Sequence, residues 1–277
     1  YGDHRDLHRV DRRQRQMCIR DRLKGKSVIL TGAGSGIGRV TAKMLGELGA
    51  NVFVVGRREN LLKESVKEIE DAGGKGAYLS ADLEDGDSAA NVAKEAIKAF
   101  GNIQYLVNNA GHSSKVRSMR YVEKDDWQSV FNVNVEGVYR LTQAILPNMI
   151  ENGGGTVVTI SSMAAINPGL MGGVPYSSAK AAVAAMMTAM RQELREHGIR
   201  SCTIYPAEVD TPILDNRPLP PDEQARSTMM QPEDIAETIL LCMRMPHRTI
   251  IQDLIVSPTI QRDVSEDMKI AKTLGSK

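Results

Sequence analysis

From Leu23 to about residue 256 the chain repeats one unit, a short β-branched apolar run followed by a helix-length amphipathic stretch, and this repetition is what most limits its fold. The apolar runs fall at 27–30, 52–55, 77–79, 105–107, 156–160, 201–205 and 249–256. Helical patterns fill 40–48, 59–72, 88–100, 130–150 and 177–197. Strands that are apolar almost throughout are buried on both faces, and parallel strands joined by helices meet that condition. No linker or low-complexity segment interrupts the series, so the pattern predicts a single doubly wound α/β domain over 23–262 with about seven parallel strands and helices on both faces. Residues 263–277 are read as a C-terminal tail. Two long irregular segments, 112–123 and 206–232, the latter with six prolines, are expected to carry substrate contacts.

Residues 1–22 break the pattern: seven Arg and four Asp without apolar periodicity. They match neither a secretory signal nor a transit peptide and are expected to be disordered, non-native sequence. A basic nucleic-acid arm is the competing reading, but the whole chain carries a formal net charge of only +1 and three Phe and one Trp. That composition argues against nucleic-acid or anionic-membrane capture. No apolar run approaches the ~20 residues of a membrane span. Cys18, Cys202 and Cys242 are odd in number and scattered, which excludes a disulfide scaffold and a thiolate metal site and fits a cytoplasmic setting. His112, His197 and His247 are isolated, so no metal site is expected.

The first apolar run continues into Thr31-Gly32-Ala33-Gly34-Ser35-Gly36-Ile37-Gly38 and then a helical pattern. Gly32 allows a tight turn, Gly36 removes a Cβ where a pyrophosphate approaches backbone N–H groups, and Gly38 lets helix and strand pack closely. The helix N-terminus adds positive potential for the phosphates. The second run ends in Gly56-Arg57-Arg58. A carboxylate there would bond the ribose hydroxyls of NAD; Gly56 leaves that position empty, and Arg57 offers a planar fork suited to a 2′-phosphate. Solvated surface arginines are the bland alternative. The phosphate reading favours NADP(H) over NAD(H).

Tyr176 and Lys180 stand one turn apart on a helical stretch, where an ammonium would draw a phenol's pKa down from about 10. A phenol so tuned can exchange a proton with a carbonyl or alcohol oxygen. Alone, the pair reads as helix surface. It is accompanied by Ser161-Ser162 after the fifth run, Asn108-Asn109-Ala110-Gly111 after the fourth, Asn134 in Asn132-Val133-Asn134-Val135-Glu136-Gly137, and Asp82-Leu83 after the third. In order and spacing, and with the Thr-Gly-x-x-x-Gly-x-Gly turn, these resemble the short-chain dehydrogenase/reductase family over about 23–258.

The resemblance implies a Rossmann fold and hydride transfer between a nicotinamide and a carbonyl or secondary alcohol. Carried over by position, Tyr176 would be the general acid/base, Ser162 would orient the substrate oxygen, and Lys180 would bond the nicotinamide ribose and depress the Tyr176 pKa. Asn134 would hold a water linking Lys180 to solvent. Gly32, Ser35, Gly36, Ile37, Gly38 and Arg57 would hold the cofactor together with Leu83, Ala110, Gly111 and Pro206. Asp82 and Asn108 would line its adenosine side, and Thr211 its carboxamide. The family also implies a homodimer or homotetramer through the long helices.

Three departures stand out. Pro206-Ala207 replaces the usual Pro-Gly, which Ala satisfies only at negative φ. The Ser162–Tyr176 interval of 14 is about one residue longer than is usual in the family, suggesting a slightly enlarged substrate loop. The last run lacks the Asp-Gly-Gly ending common in 3-oxoacyl reductases, and with Gly56-Arg57-Arg58 this lies closer to the 3-hydroxy acid and serine dehydrogenases. A non-catalytic dinucleotide sensor binding a protein partner is the alternative; sensors can dispense with the Tyr–Lys pair, which is intact here. The sequence 163–174 is small and apolar and suggests one wall for a small-molecule substrate. Lys115, Arg117 and Arg120 could meet a carboxylate or phosphate, though solvated loop charge is the simpler reading.

Overall fold

A computed structural model describes residues 21–276. The expected segment 1–22 lies almost wholly outside the described residues; at its end, Arg22 Nη1 donates to the Arg244 carbonyl (2.6 Å) and Leu23 is fully buried.

The chain runs β1 (Ser27–Thr31), α1 (Gly36–Glu47), β2 (Asn51–Gly56), α2 (Glu59–Asp71), β3 (Lys75–Ser80), α3 (Ser88–Phe100) and β4 (Tyr105–Asn108). It continues with α4 (Lys124–Phe131), a π-helical turn (Asn132–Glu136), α5 (Gly137–Glu151), β5 (Gly155–Ile160), α6 (Val174–Leu194), β6 (Ile199–Pro206), α7 (Pro232–Arg244), β7 (Asp253–Val256) and α8 (Ser265–Thr273). All seven strands pair in parallel in the order β3-β2-β1-β4-β5-β6-β7. The order reverses between β1 and β4, the switch point where such sheets open a crevice beyond the strand carboxyl ends.

The two-residue period of the strands divides the core. Val28, Leu30, Val52, Val54, Val107, Val158 and Ile204 pack one face against Ala42 and Leu45 of α1 and Ile235, Ile239 and Leu240 of α7. Ile29, Phe53, Val55, Leu106 and Val157 pack the other against Val92 of α3, Leu141 and Ile145 of α5, and Val183 and Met187 of α6. Buried side chains of this size contribute roughly 1.5–3 kcal/mol each, and interdigitation on both faces requires the near-continuous apolar runs.

Four details differ from the sequence reading. The last strand spans only Asp253–Val256 rather than 249–256, because Thr249 N turns back to the Pro246 carbonyl. The helix expected over 130–150 is broken by the π turn. Residues 263–277, read as a tail, hold α8, whose Asp267 and Ala271 are buried; Arg262 Nη2 pairs with Asp267 Oδ1 at 2.8 Å. Cys202 on β6 and Cys242 on α7, scattered in sequence, lie Sγ to Sγ at 3.0 Å in the core as free thiols.

Candidate active site

Beyond the carboxyl ends of β1, β4, β5 and β6 lies a cavity of about 760 Å³. The glycine turn forms one end, where Gly32 (φ +68°) and Gly36 (φ +53°) take backbone conformations that side chains rarely adopt. A Cβ on Gly38 would lie 2.3 Å from the Gly32 carbonyl oxygen, so helix α1 can start here only without one. A Cβ on Gly36 would press on Thr211 at 3.2 Å, as well as filling space over the turn. Gly32, Ser35, Gly36 and Ile37 line the cavity; Gly38 lies behind it.

The turn is held by a residue the sequence reading passed over. Asn109 Nδ2 donates to the carbonyls of Thr31 (3.0 Å) and Gly32 (3.3 Å), and Thr31 Oγ1 accepts from the N–H groups of Asn109 and Ala110. Asn108, expected on the adenosine side, points the other way: it is buried and donates to Thr142 Oγ1 on α5 (3.2 Å), outside the cavity lining. Strand alternation explains the swap, since neighbouring residues face opposite sides.

Past β2, Arg57, Arg58, Asp82 and Leu83 line the same end. Arg57 Nη1 lies 3.9 Å from Asp82 Oδ2, both largely exposed, while Arg58 Nη2 donates to Ser35 Oγ at 3.1 Å. Arg58 thus lines the cavity beside Arg57, to which the sequence reading confined the expected phosphate contact. A doubled Arg at the end of the second strand was the signal.

At the other end, Ser162 Oγ accepts from Ala164 N (3.1 Å), capping the short helix Met163–Ile166. Its own hydroxyl proton is turned toward the Tyr176 phenol. Ser161 also lines the cavity, but its hydroxyl is committed to the Lys180 carbonyl (2.9 Å). Tyr176 is in the first turn of α6 and lines the cavity with Ser162 and Lys180. Lys180 is 5% exposed, its Nζ 5.6 Å from the Tyr176 ring centroid and 2.8 Å from the Ile160 carbonyl. Burial pulls its ammonium down to about 8.

The Tyr176 phenol moves opposite to the sequence expectation: burial pushes it above the ordinary value, and the forces that pull it back are a hydrogen bond from Ser162 and the charges of Arg217 and Arg117. The Lys180 ammonium is not among the forces that pull it back.

Asn134 sits in the π turn with no exposure, its Nδ2 donating to the carbonyls of His112 (2.9 Å) and Val130 (2.8 Å). Single π turns inside helices are frequent at functional sites, and here the widened turn leaves Val130's carbonyl to the Asn side chain. Asn134 Oδ1 is buried without a partner among the described residues. Gly111 is the reason for the room there: a Cβ would lie 2.6 Å from Asn134 Oδ1 and 3.2 Å from Lys180 Nζ. Asn134 Oδ1 and Lys180 Nζ thus both lie close to the Gly111 backbone.

Ala110, Gly111, Pro206 and Thr211 also line the cavity. Ala207 fits where glycine is usual: no non-glycine residue among the described ones has positive φ, and Ala207 N donates to the Val256 carbonyl (2.8 Å). Among the described residues no cluster of His, Cys, Asp and Glu could hold a metal, and no helix is long and apolar enough to cross a membrane.

The chain matches the short chain dehydrogenase family over residues 26–221. It is 34% identical over 230 residues to the 3-oxoacyl-[acyl-carrier-protein] reductase FabG of Thermotoga maritima, covering 79% of this chain and 90% of that protein. It is 33% identical over 223 residues to the (2S)-[(R)-hydroxy(phenyl)methyl]succinyl-CoA dehydrogenase subunit BbsD of Thauera aromatica, covering 79% and 89%. Among solved structures, a metagenomic short-chain oxidoreductase in complex with NADP is similar at a TM-score of 0.75 and 30% identity, over 87% of this chain and all of that one. An alcohol dehydrogenase of Thermococcus sibiricus shares the fold at a TM-score of 0.77 and 24% identity, covering 86% of this chain and 98% of that one. The glycine turn, the seven-stranded parallel sheet and these matches agree: the chain belongs to the short-chain dehydrogenase family, oxidoreductases that use a nicotinamide cofactor on carbonyl and CH–OH groups.

Proposed function

We propose that this protein is an NADP(H)-dependent carbonyl reductase or secondary-alcohol dehydrogenase with Tyr176 as its general acid/base. One observation carries the reading: Tyr176, Ser162 and Lys180 line one end of a single cavity whose other end is the glycine turn. The residues fit the cofactor. The turn has no Cβ where a pyrophosphate approaches, a helix begins beneath it, and Asn134 Oδ1 and Lys180 Nζ both lie close to the Gly111 backbone.

Bound reduced nicotinamide would supply a hydride to the substrate carbonyl carbon. Ser162 would donate a hydrogen bond to the substrate oxygen and fix its position. Tyr176 gives that oxygen a proton as negative charge develops there. Burial keeps the phenol protonated at neutral pH, as reduction requires, while Ser162, Arg217 and Arg117 favour the phenolate that forms. Lys180 would bond the nicotinamide ribose, and a water held by Asn134 Oδ1 would return the proton through Lys180.

NADP(H) is preferred because Gly56 offers no carboxylate to repel a 2′-phosphate, and Arg57, Arg58 and Ser35 converge where that phosphate would lie. The solved relative that carries NADP supports the same choice. Assembly into dimers or tetramers runs through α5 and α6, where Ala181, Ala185 and Ala189 of α6 form an exposed small-residue stripe and Tyr139 of α5 is exposed. The test is purified protein with NADPH against ketones, 3-oxo acids and aldehydes, followed at the reduced-nicotinamide absorbance. Oxidation of NADPH dependent on one of these carbonyls is expected.

A further inference from the structure

We propose that Arg117 anchors a carboxylate of the substrate, so that the enzyme acts on oxo or hydroxy acids in preference to neutral ketones and alcohols; this rests on the reaction proposed above. Arg117 is only 4% exposed, yet its guanidinium makes no hydrogen bond or ion pair among the described residues, and its Nε is buried without a partner. Withdrawing a guanidinium from water without a partner is unfavourable, and such a group calls for an anion. Burial pulls Arg117 down to about 10, so it is a full cation at neutral pH. Its side chain lines the cavity together with Ser162 and Tyr176.

The fold fixes this placement. Val174 N, at the start of α6, donates to the Arg117 carbonyl at 3.0 Å. Gly173 (φ +77°) lets the two segments touch, since a Cβ there would lie 2.8 Å from Arg117 Cβ. Arg117 is thereby pinned against the turn that leads into Tyr176, three residues on. The chain end braces the same loop from outside: a Cβ on Gly275 would lie 2.9 Å from Tyr121 Cβ and 3.1 Å from Val116 Cγ1.

The charge count sets the kind of anion. The charges of Arg217, Asp267 and Glu208 act on Arg117, and Arg262 pairs with Glu208. Arg217 pairs with Glu208 (2.5 Å), and Arg262 pairs with Glu208 (2.9 Å) and Asp267 (2.8 Å). Three guanidinium groups against two carboxylates leave one positive charge, that of Arg117. One surplus charge matches a monoanion better than a phosphate dianion, and the guanidinium fork suits a carboxylate bidentately. Met163, Ala164, Met171 and Leu214 supply apolar wall for a short carbon skeleton between carboxylate and carbonyl.

The test uses the full-length enzyme with NADPH and matched pairs of 2-, 3- and 4-oxo acids and their methyl esters, with a neutral ketone as reference. For at least one pair, kcat/KM for the acid should exceed that for the ester by about a hundredfold or more. Arg117→Met should remove most of that preference by lowering the acid's kcat/KM at least about tenfold more than the ester's. Arg117→Lys should retain part of it. Should Arg117→Met fail to fold, propionate should inhibit wild-type reduction of the neutral ketone competitively. Equal rates for acid and ester, an equal loss on both in Arg117→Met, or no inhibition by propionate would overturn the carboxylate site and leave the proposed reaction standing. No NADPH oxidation by any compound would overturn that reaction and this site with it.

Discussion

Lys180 Nζ donates a 2.8 Å hydrogen bond to the Ile160 carbonyl, joining α6 to the end of the strand that leads into Ser162. The bond holds Tyr176 and Ser162 on one wall while the ammonium is almost completely withdrawn from water. Burial therefore places the lysine at about 8, below its ordinary 10.5.

This placement makes stability depend on pH. Between about 8 and 10.5 the unfolded chain still holds the lysine proton that the folded chain has released, so stability rises with pH across that window. Below about 8 both states hold it, and the folded state bears the full cost of a buried ammonium, on the order of 3 kcal/mol at ~1.4 kcal/mol per pKa unit. Lys180→Met should thus melt higher than wild type at pH 6.5, with the difference shrinking by pH 9.5. Thermal melts of the cofactor-free protein measure it; a constant difference across that range would contradict the burial argument.

Gly38→Ala should be severe. Its Cβ would sit 2.3 Å from a backbone oxygen that cannot move without opening the glycine turn. A loss of about 1–3 kcal/mol or more in urea unfolding is expected, together with loss of dinucleotide binding. Gly169→Ala is the control: nothing lies within 4 Å of a Cβ there, and stability should change by less than about 0.5 kcal/mol.

Arg57→Ala and Arg58→Ala should each weaken NADPH far more than NADH, by roughly tenfold to a hundredfold, since a charge-assisted bond to phosphate is worth about 1.5–3 kcal/mol. Arg58 has Ser35 as a fixed partner and Arg57 only a distant Asp82, so Arg58→Ala should cost at least as much. Titration of cofactor fluorescence with both dinucleotides decides it. Equal losses for the two would show that neither side chain reads the 2′-phosphate.

The sheet and most of its helices were legible because strands buried on both faces leave uninterrupted apolar runs, and α3 was read to the residue. Local register was less legible. Whether Asn108 or Asn109 faces the turn depends on strand parity, which two adjacent asparagines do not reveal. The π turn at Asn134 is one extra residue in a helical pattern, too small a change to disturb the periodicity. Helix α8 is polar apart from a few positions and is held by Arg262 and Asp267, a pairing distant from any sequence pattern. The same is true of Arg117: three basic residues on one loop looked alike, and only packing against Gly173 separates the buried one from its neighbours. The Tyr176 phenol was expected to fall under Lys180, yet desolvation, which no sequence displays, raises it.

The assignment of Tyr176 is tested most directly by a single-turnover reaction of Tyr176→Phe loaded with NADPH and mixed with the best carbonyl substrate of the wild type. NADPH should bind within about tenfold of wild type, because the ring and its packing remain, while oxidation of the reduced nicotinamide falls by at least about a thousandfold. Oxidation near the wild-type rate in that variant would show that the proton comes from another group.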